Sequence, residues 1–145
     1  MITRLVLAAA VVAAGITAVA AQSDPIAVRK ALMKGVGDQS RIARDMLDGK
    51  TPFNADAAKK VFATFEDASA KMPALFPDNS KAGDTAALPA VWDNKSDFTA
   101  KFAKLGADSK AAAAQVKDLD SFKAAMGEVG KNCGGCHQTY RKRQS

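Results

Sequence analysis

The sequence has few residues that can bind a metal ion or cross-link the chain. Among its 145 residues there are two cysteines, Cys133 and Cys136, and one histidine, His137. Three ligands do not complete a four-coordinate zinc site, and a disulfide between cysteines so close in sequence would hold no distant segments together. Aromatic residues make up only 6% of the chain, which argues against an aromatic-rich β-sandwich.

The composition is that of one ordinary helical domain. Hydrophobic residues make up 48% and charged residues 25% of a 15.1 kDa chain, which is enough apolar material for one packed core and too short for two typical domains. Ten glycines and five prolines are too few for a low-complexity, disordered chain. We therefore expect a single domain rich in helices.

The first residues predict export. A basic Arg4 is followed by an apolar run from Leu5 to Ala21 that ends in small residues, the pattern of a cleaved secretory signal. We predict a signal peptide over residues 1–21, cut after Ala20 or Ala21, with the mature domain over 22–145 in the periplasm. The alternative is an uncleaved membrane anchor, since about 17 apolar residues is near the lower limit for a spanning helix. We expect no other membrane insertion.

Charge gives no reason to expect a nucleic-acid binder. Removal of Arg4 from the 21 basic side chains leaves 20 against 15 acidic ones, a net charge of +5 for the mature chain. The basic residues are scattered between acids except at 141–143, whereas nucleic-acid binding needs a basic patch or stripe.

Apolar residues recur at alternating spacings of three and four, which predicts four amphipathic helices and no strands. The economical fold is an all-α, antiparallel up-down-up-down four-helix bundle. A loop of about twenty residues, from Pro73 to Asn94, separates helices two and three, and loops of that length usually have a function or pack through their own side chains. The helix starts are predicted at Asp24–Pro25, after Asn54, around Ser96 or Asp97, and at 118–120.

The motif Cys133-Gly-Gly-Cys136-His137 predicts covalent attachment of one c-type haem near the C-terminus of helix four. Thiols at i and i+3 on one helical face can each form a thioether with a haem vinyl group, and the next imidazole can bind the iron. The competing interpretation is a thioredoxin-like dithiol, but that motif starts a helix after a strand. A purely structural bundle would leave the cysteine pair unexplained.

A second iron ligand is predicted on helix one. In an antiparallel bundle helices one and four are neighbours, so Met33 and His137 lie at the same height along the axis. We therefore predict that Met33 is the sixth ligand of the iron. The alternative is that Met33 only fills the core. Arg29, one turn earlier on the same stripe, is predicted to meet a haem propionate; its alternative is a side chain that snorkels to water. The other methionines of the mature chain lie at other heights or on the haem's own helix: Met46, Met72 and Met126.

The mature chain resembles the class II cytochromes c, the cytochrome c′ family. The resemblance rests on the haem motif at the C-terminal end, on the run from Cys133 to Arg141 and on Pro89-Ala-Val-Trp92 in the loop. It implies that Arg29 meets a propionate and that Arg141 lies beside the proximal imidazole. Members with Met in a Leu-Met-Lys context, as at 32–34, are low-spin electron carriers, whereas members without that ligand are high-spin and bind nitric oxide or carbon monoxide.

We therefore expect a periplasmic one-electron carrier whose six-coordinate haem is held by His137 and Met33, and not an enzyme. The alternative is a five-coordinate cytochrome c′ that binds or sequesters NO or CO. A peroxidase or reductase lacks a second His or paired acids to work on a distal ligand. The expected partners are redox proteins steered by a basic rim, and both a monomer and a homodimer paired through helices one and two fit the pattern. The rim residues are Lys30, Lys34, Lys131, Arg141 and Lys142.

Overall fold

Four long helices form an antiparallel four-helix bundle in the computed structural model, which describes residues 24–143. They are α1 (Pro25–Leu47), α2 (Ala55–Lys71), α3 (Lys95–Gln115) and α4 (Leu119–Tyr140). The predicted signal peptide lies outside the described residues. Within those residues, no helix has the length and hydropathy needed to cross a membrane.

Local capping chemistry places the helix starts close to where the sequence predicts them. The Asp24 side chain accepts a hydrogen bond from the amide of Ile26, and Pro25 occupies the first helical position, where its missing N–H is not needed. Asn54 caps α2 in the same way, and Asp118 forms a capping box with Ser121 at the start of α4. These caps satisfy N–H groups that a helix start would otherwise leave unpaired.

The connection between α2 and α3 is more ordered than the sequence suggests. It contains two 3₁₀ turns, Met72–Leu75 and Asp78–Ser80, and a one-turn helix, Ala90–Asp93. The third long helix also starts one residue before the predicted boundary. The indole of Trp92 donates hydrogen bonds to the carbonyls of Phe76 and Pro77, so the loop is held by its own side chains, as such loops often are.

The core is divided into two clusters along the bundle axis. One lies at the end of the bundle away from the cysteines and contains Phe62 and Phe122, both fully buried, in edge-to-face contact with ring centroids 5.7 Å apart. The other lies beside the cysteines and is built around Phe98, which packs against Phe76 and Tyr140. Met46 belongs to the first cluster, at the far end from the motif as its position in α1 predicts.

Candidate functional site

A cavity of about 620 Å³ opens at the end of the bundle that holds the second core cluster. Its walls come from α1, α3, α4 and the loop between α2 and α3, and most of its lining is aliphatic or aromatic. A concave, mainly apolar cavity of several hundred cubic ångströms is typical of a cofactor or small-molecule site.

The motif on α4 faces this cavity. Cys133, Cys136 and His137 all line it, because i, i+3 and i+4 positions share one face of a helix. Both cysteines are half-buried free thiols, and desolvation raises their pKa above the ordinary value. His137 is exposed at the cavity edge, and its pKa is lowered by desolvation first and by the positive charge of Arg141 second.

Met33 reaches the same cavity from α1. Its side chain is half-buried and packs against the second core cluster, as do Leu32 and Cys136. The structure therefore brings Met33 and the motif of α4 together around one cavity. A thioether and an imidazole carried by two different helices suit an iron held between them.

Arg29 also lines the cavity, but its guanidinium is buried and bonded to the loop. The residue is 5% exposed, so its side chain does not snorkel to water as the alternative interpretation supposed. Its two terminal nitrogens donate four hydrogen bonds to Leu75, Ser80 and Thr85, and its guanidinium carbon lies 4.2 Å from the centroid of the Phe76 ring. Since a guanidinium has five N–H donors, Nε–H alone is left for a cofactor carboxylate. The propionate contact stays a prediction.

Arg141 follows α4 directly and lines the cavity next to His137. Its amide donates to the carbonyl of His137 at 3.3 Å, and its backbone pairs with Ala87 of the loop in an isolated antiparallel bridge. Its positive charge contributes to the lowered pKa of His137. The place beside the proximal imidazole that the family resemblance implies for Arg141 stays a prediction.

The hydrogen bond between Tyr140 and Asp97 was not predicted from the sequence. The buried Tyr140 donates from its hydroxyl to the carboxylate of Asp97 at the start of α3, and this bond is the main cause that raises the pKa of Tyr140 to about 12. The bond joins the end of α4, one turn past His137, to another helix. The sequence placed Tyr140 on the seam of α4 but held no signal for its partner, because the two residues are 43 positions apart.

The charges at the cavity are all positive. Five cationic side chains line it, and among the described residues no carboxylate does. Three of these cations form ion pairs outside the cavity, namely Lys30 with Asp84, Lys34 with Asp38 and Lys101 with Asp97. Of the other predicted rim residues, Lys131 pairs with Glu128 away from the lining. Three of the five predicted rim residues are thus paired with carboxylates, and Arg141 and Lys142 have no carboxylate partner within residues 24–143.

The donor set fits haem better than a bare metal ion. Within residues 24–143 no group of three His, Cys, Asp or Glu side chains could hold a metal, so a bare ion would lack ligands. A porphyrin would supply four nitrogen ligands itself, and His137 and Met33 would be the protein side chains available to add to them. The thiols are spaced for two thioether bonds, and the apolar lining matches the body of the macrocycle.

Comparisons with known proteins agree with this fit. A family model described as "Cytochrome C'" matches residues 24–141. A "Cytochrome c'" of Rhodopseudomonas palustris is 42% identical over 143 residues, 98% of each chain. A "Cytochrome c-556" of Agrobacterium tumefaciens is 40% identical over 114 residues, 78% of this chain and 93% of the relative. The solved structure of a cytochrome c' from Rhodopseudomonas palustris matches with a TM-score of 0.82 and 44% identity, over 86% of this chain and all of the other.

Proposed function

Because the chain belongs to the cytochrome c′ family, we propose that it is an exported one-electron carrier whose iron is held by His137 of α4 and Met33 of α1. The family, this chain included, consists of electron-carrying or gas-binding proteins with covalent haem c. When bound, haem c supplies one-electron exchange between ferric and ferrous iron. The observation that carries the proposal is that Met33, His137 and both cysteines line one apolar cavity.

Cys133 and Cys136 fasten the cofactor in this proposal. Each thiol adds its sulfur to one carbon of a vinyl group and its hydrogen to the other, so the two thioether bonds need no external oxidant. Arg141 lies beside the imidazole, and the free Nε–H of Arg29 is available for a propionate. Export through residues 1–21 puts the protein in the periplasm.

Two protein ligands on two helices favour electron transfer over catalysis. If His137 and Met33 held the iron, little in the protein would have to move when haem c exchanged an electron. A thioether ligand and apolar surroundings favour the ferrous form and raise the potential. His137 is the only histidine of the chain, so no second imidazole is available as an acid or base on the other side of the iron. The protein is therefore not an enzyme in this proposal.

Its partners are redox proteins that present acidic surfaces. Within the described residues, Arg141 and the following Lys142 carry charge without a carboxylate partner, beside the cavity end of α4. A positive patch at the site of electron transfer increases the rate of encounter with an acidic partner, and the effect weakens with salt.

A second candidate is a high-spin member of the family that binds NO or CO at an iron without Met33. The comparisons favour this candidate, because a relative that is 42% identical over 98% of the chain and the solved structure reported above are both called cytochrome c'. The position of Met33 in the cavity favours the first candidate.

The absorption spectrum of the purified holoprotein, with and without carbon monoxide, separates the two. We expect a low-spin spectrum with an iron–sulfur charge-transfer band and slow CO binding. Met33→Leu removes the sulfur at nearly constant volume, and it should give a high-spin spectrum and fast CO binding. Met46→Leu, a change of the same kind in the far core, is the matched control and should leave the spectrum unchanged.

A high-spin spectrum in the wild-type protein, with ready CO binding, would contradict Met33 ligation and establish the second candidate. A protein that stays colourless when it is made with intact haem-attachment machinery would contradict both candidates.

A further inference from the structure

The segment 75–88, called the strap below, is bound to α1 by Arg29. Terminal nitrogen Nη1 donates to the carbonyl of Leu75 at 3.1 Å and to Oγ of Ser80 at 3.0 Å. Nη2 donates to the carbonyl of Ser80 at 3.3 Å and to Oγ1 of Thr85 at 3.2 Å. One guanidinium therefore binds three separate residues of the strap, and it does so from the turn of α1 that precedes Met33.

The other end of the strap is bound to the end of α4. The amide of Leu88 donates to the carbonyl of Tyr140 at 3.0 Å, and the amide of Lys142 donates to the carbonyl of Ala86 at 2.8 Å. These two bonds flank the bridge between Ala87 and Arg141. The strap therefore reaches the chain three to five residues past His137.

Within residues 24–143, α1 and α4 make few direct contacts with each other along their length. The cavity lies between them, and Met33 and His137 both line it. The strap closes the gap by contacting both helices, and its residues 85–87 also line the cavity.

We propose that the strap, which Arg29 holds by hydrogen bonds, sets the spacing of α1 and α4 and thereby keeps Met33 on the iron. If the strap loosened, α1 would move away from α4 and Met33 would leave the iron, which would open the cavity to an outside ligand such as CO. This inference rests on the function proposed above. Arg29 acts through the strap, so it is a positioning residue and not a ligand.

The chemistry of Arg29 supports a positioning role. Burying a charged group is costly unless hydrogen bonds satisfy it, and here four of the five donors have protein acceptors. Arginine meets several acceptors with a planar, rigid fork, which a lysine ammonium cannot reproduce. Its contact with the Phe76 ring adds a further fixed point on the strap. A residue that served only a propionate would not need this set of partners.

The test changes the strap and leaves the proposed ligands intact. Ser80→Ala with Thr85→Val removes two of the four acceptors of Arg29, and Ser80 does not line the cavity. The rate constant for CO binding to the ferrous holoprotein is measured by rapid mixing. We expect an increase of about tenfold over wild type, equivalent to about 1.4 kcal/mol. Arg29→Lys keeps the positive charge but not the planar guanidinium, and it should also increase the CO-binding rate constant. This variant replaces the double variant in the test if the double variant folds poorly.

Two controls separate positioning from general loss of stability. Ser109→Ala removes a fully buried hydroxyl with no hydrogen-bond partner in the described structure. Phe122→Leu weakens the far core cluster and lowers Tm without contacting the strap or the cavity. Both should leave the CO rate unchanged. Equal CO rates in the strap variants and wild type, despite a lower Tm, would overturn the proposal.

Amide hydrogen exchange supplies a readout that does not depend on the iron ligand. If the strap acts as one unit, loosening its Arg29 end should also speed exchange at the amides of Leu88 and Lys142. Unchanged exchange at these amides would overturn the strap as a link between the helices. A high-spin wild-type spectrum would instead contradict Met33 ligation, so failure of the proposed function and failure of the strap are seen in different measurements.

Discussion

Gly106 on α3 lies against Ser69 of α2, and Gly106→Ala tests that contact. A Cβ at this position would stand 2.6 Å from Oγ of Ser69 and 3.7 Å from its Cβ. The new methyl group forces the Ser69 hydroxyl out of its hydrogen bond to the carbonyl of Glu66. We expect this to cost about 1 kcal/mol for the bond and about 0.5–1.5 kcal/mol for an unfavourable rotamer.

Alanine also stabilises a helix interior relative to glycine, by about 1 kcal/mol. The net result of Gly106→Ala in the wild-type background should therefore be a loss of about 0.5–1.5 kcal/mol in the free energy of unfolding. With Ser69→Ala already present, the clashing oxygen is gone and the Cβ at 3.7 Å is an ordinary neighbour. The same change should then stabilise the protein by about 0.5–1 kcal/mol.

The assay is urea unfolding of the four holoproteins that form the double-mutant cycle, followed by circular dichroism. The two residues should be coupled by about 1–2.5 kcal/mol, within the range for residues in contact. A coupling near zero, or a stabilising Gly106→Ala in the wild-type background, would show that the Ser69 hydroxyl does not set the approach of the two helices.

Two further predictions concern the ends of helices. Tyr140 is the only tyrosine, so its phenolate absorbance can be titrated directly, and we expect a midpoint at about 12 where an unperturbed tyrosine titrates at about 10. Because the raised pKa means that folding favours the protonated hydroxyl, the contribution of Tyr140 to the free energy of unfolding is complete below pH of about 10 and is lost as pH rises from about 10 to 12. Tyr140→Phe should therefore lose less stability over that interval than the wild-type protein. A titration midpoint of Tyr140 near the ordinary value would contradict the bond to Asp97. Asn54→Ala removes the side chain that accepts from the amide of Ala57 at 2.8 Å and should lower the free energy of unfolding by about 1 kcal/mol in urea unfolding, whereas Asn54→Asp should be nearly neutral.

Most of the bundle could be predicted from local patterns. The seams of apolar residues, the caps at Asp24 and Asn54 and the breaks near Gly49 and Pro73 are each decided by a few neighbouring residues. The cysteine motif is equally local, since the spacing along one helix places both thiols on one face. Helix geometry and the antiparallel order of the helices predict that Met33 and His137 lie near one space, and both line the cavity.

Contacts between residues far apart in sequence were out of reach of such patterns. Arg29 stood out as a charge on an apolar stripe, but its acceptors at Ser80 and Thr85 lie more than fifty residues away. The loop that supplies them has no periodicity from which its path could be inferred. The bond between Tyr140 and Asp97 is of the same kind.

The sequence alone thus determined the four long helices and the shared helical face of the cysteine motif, because each depends on the chemistry of residues within a few turns of one another. Only the tertiary structure decided how the loop closes the cavity, which side chains satisfy Arg29 and how closely α2 and α3 approach. These features depend on contacts between segments that are far apart in sequence. At such contacts a single group, such as the Ser69 hydroxyl or the missing Cβ of Gly106, decides whether the two surfaces pack together.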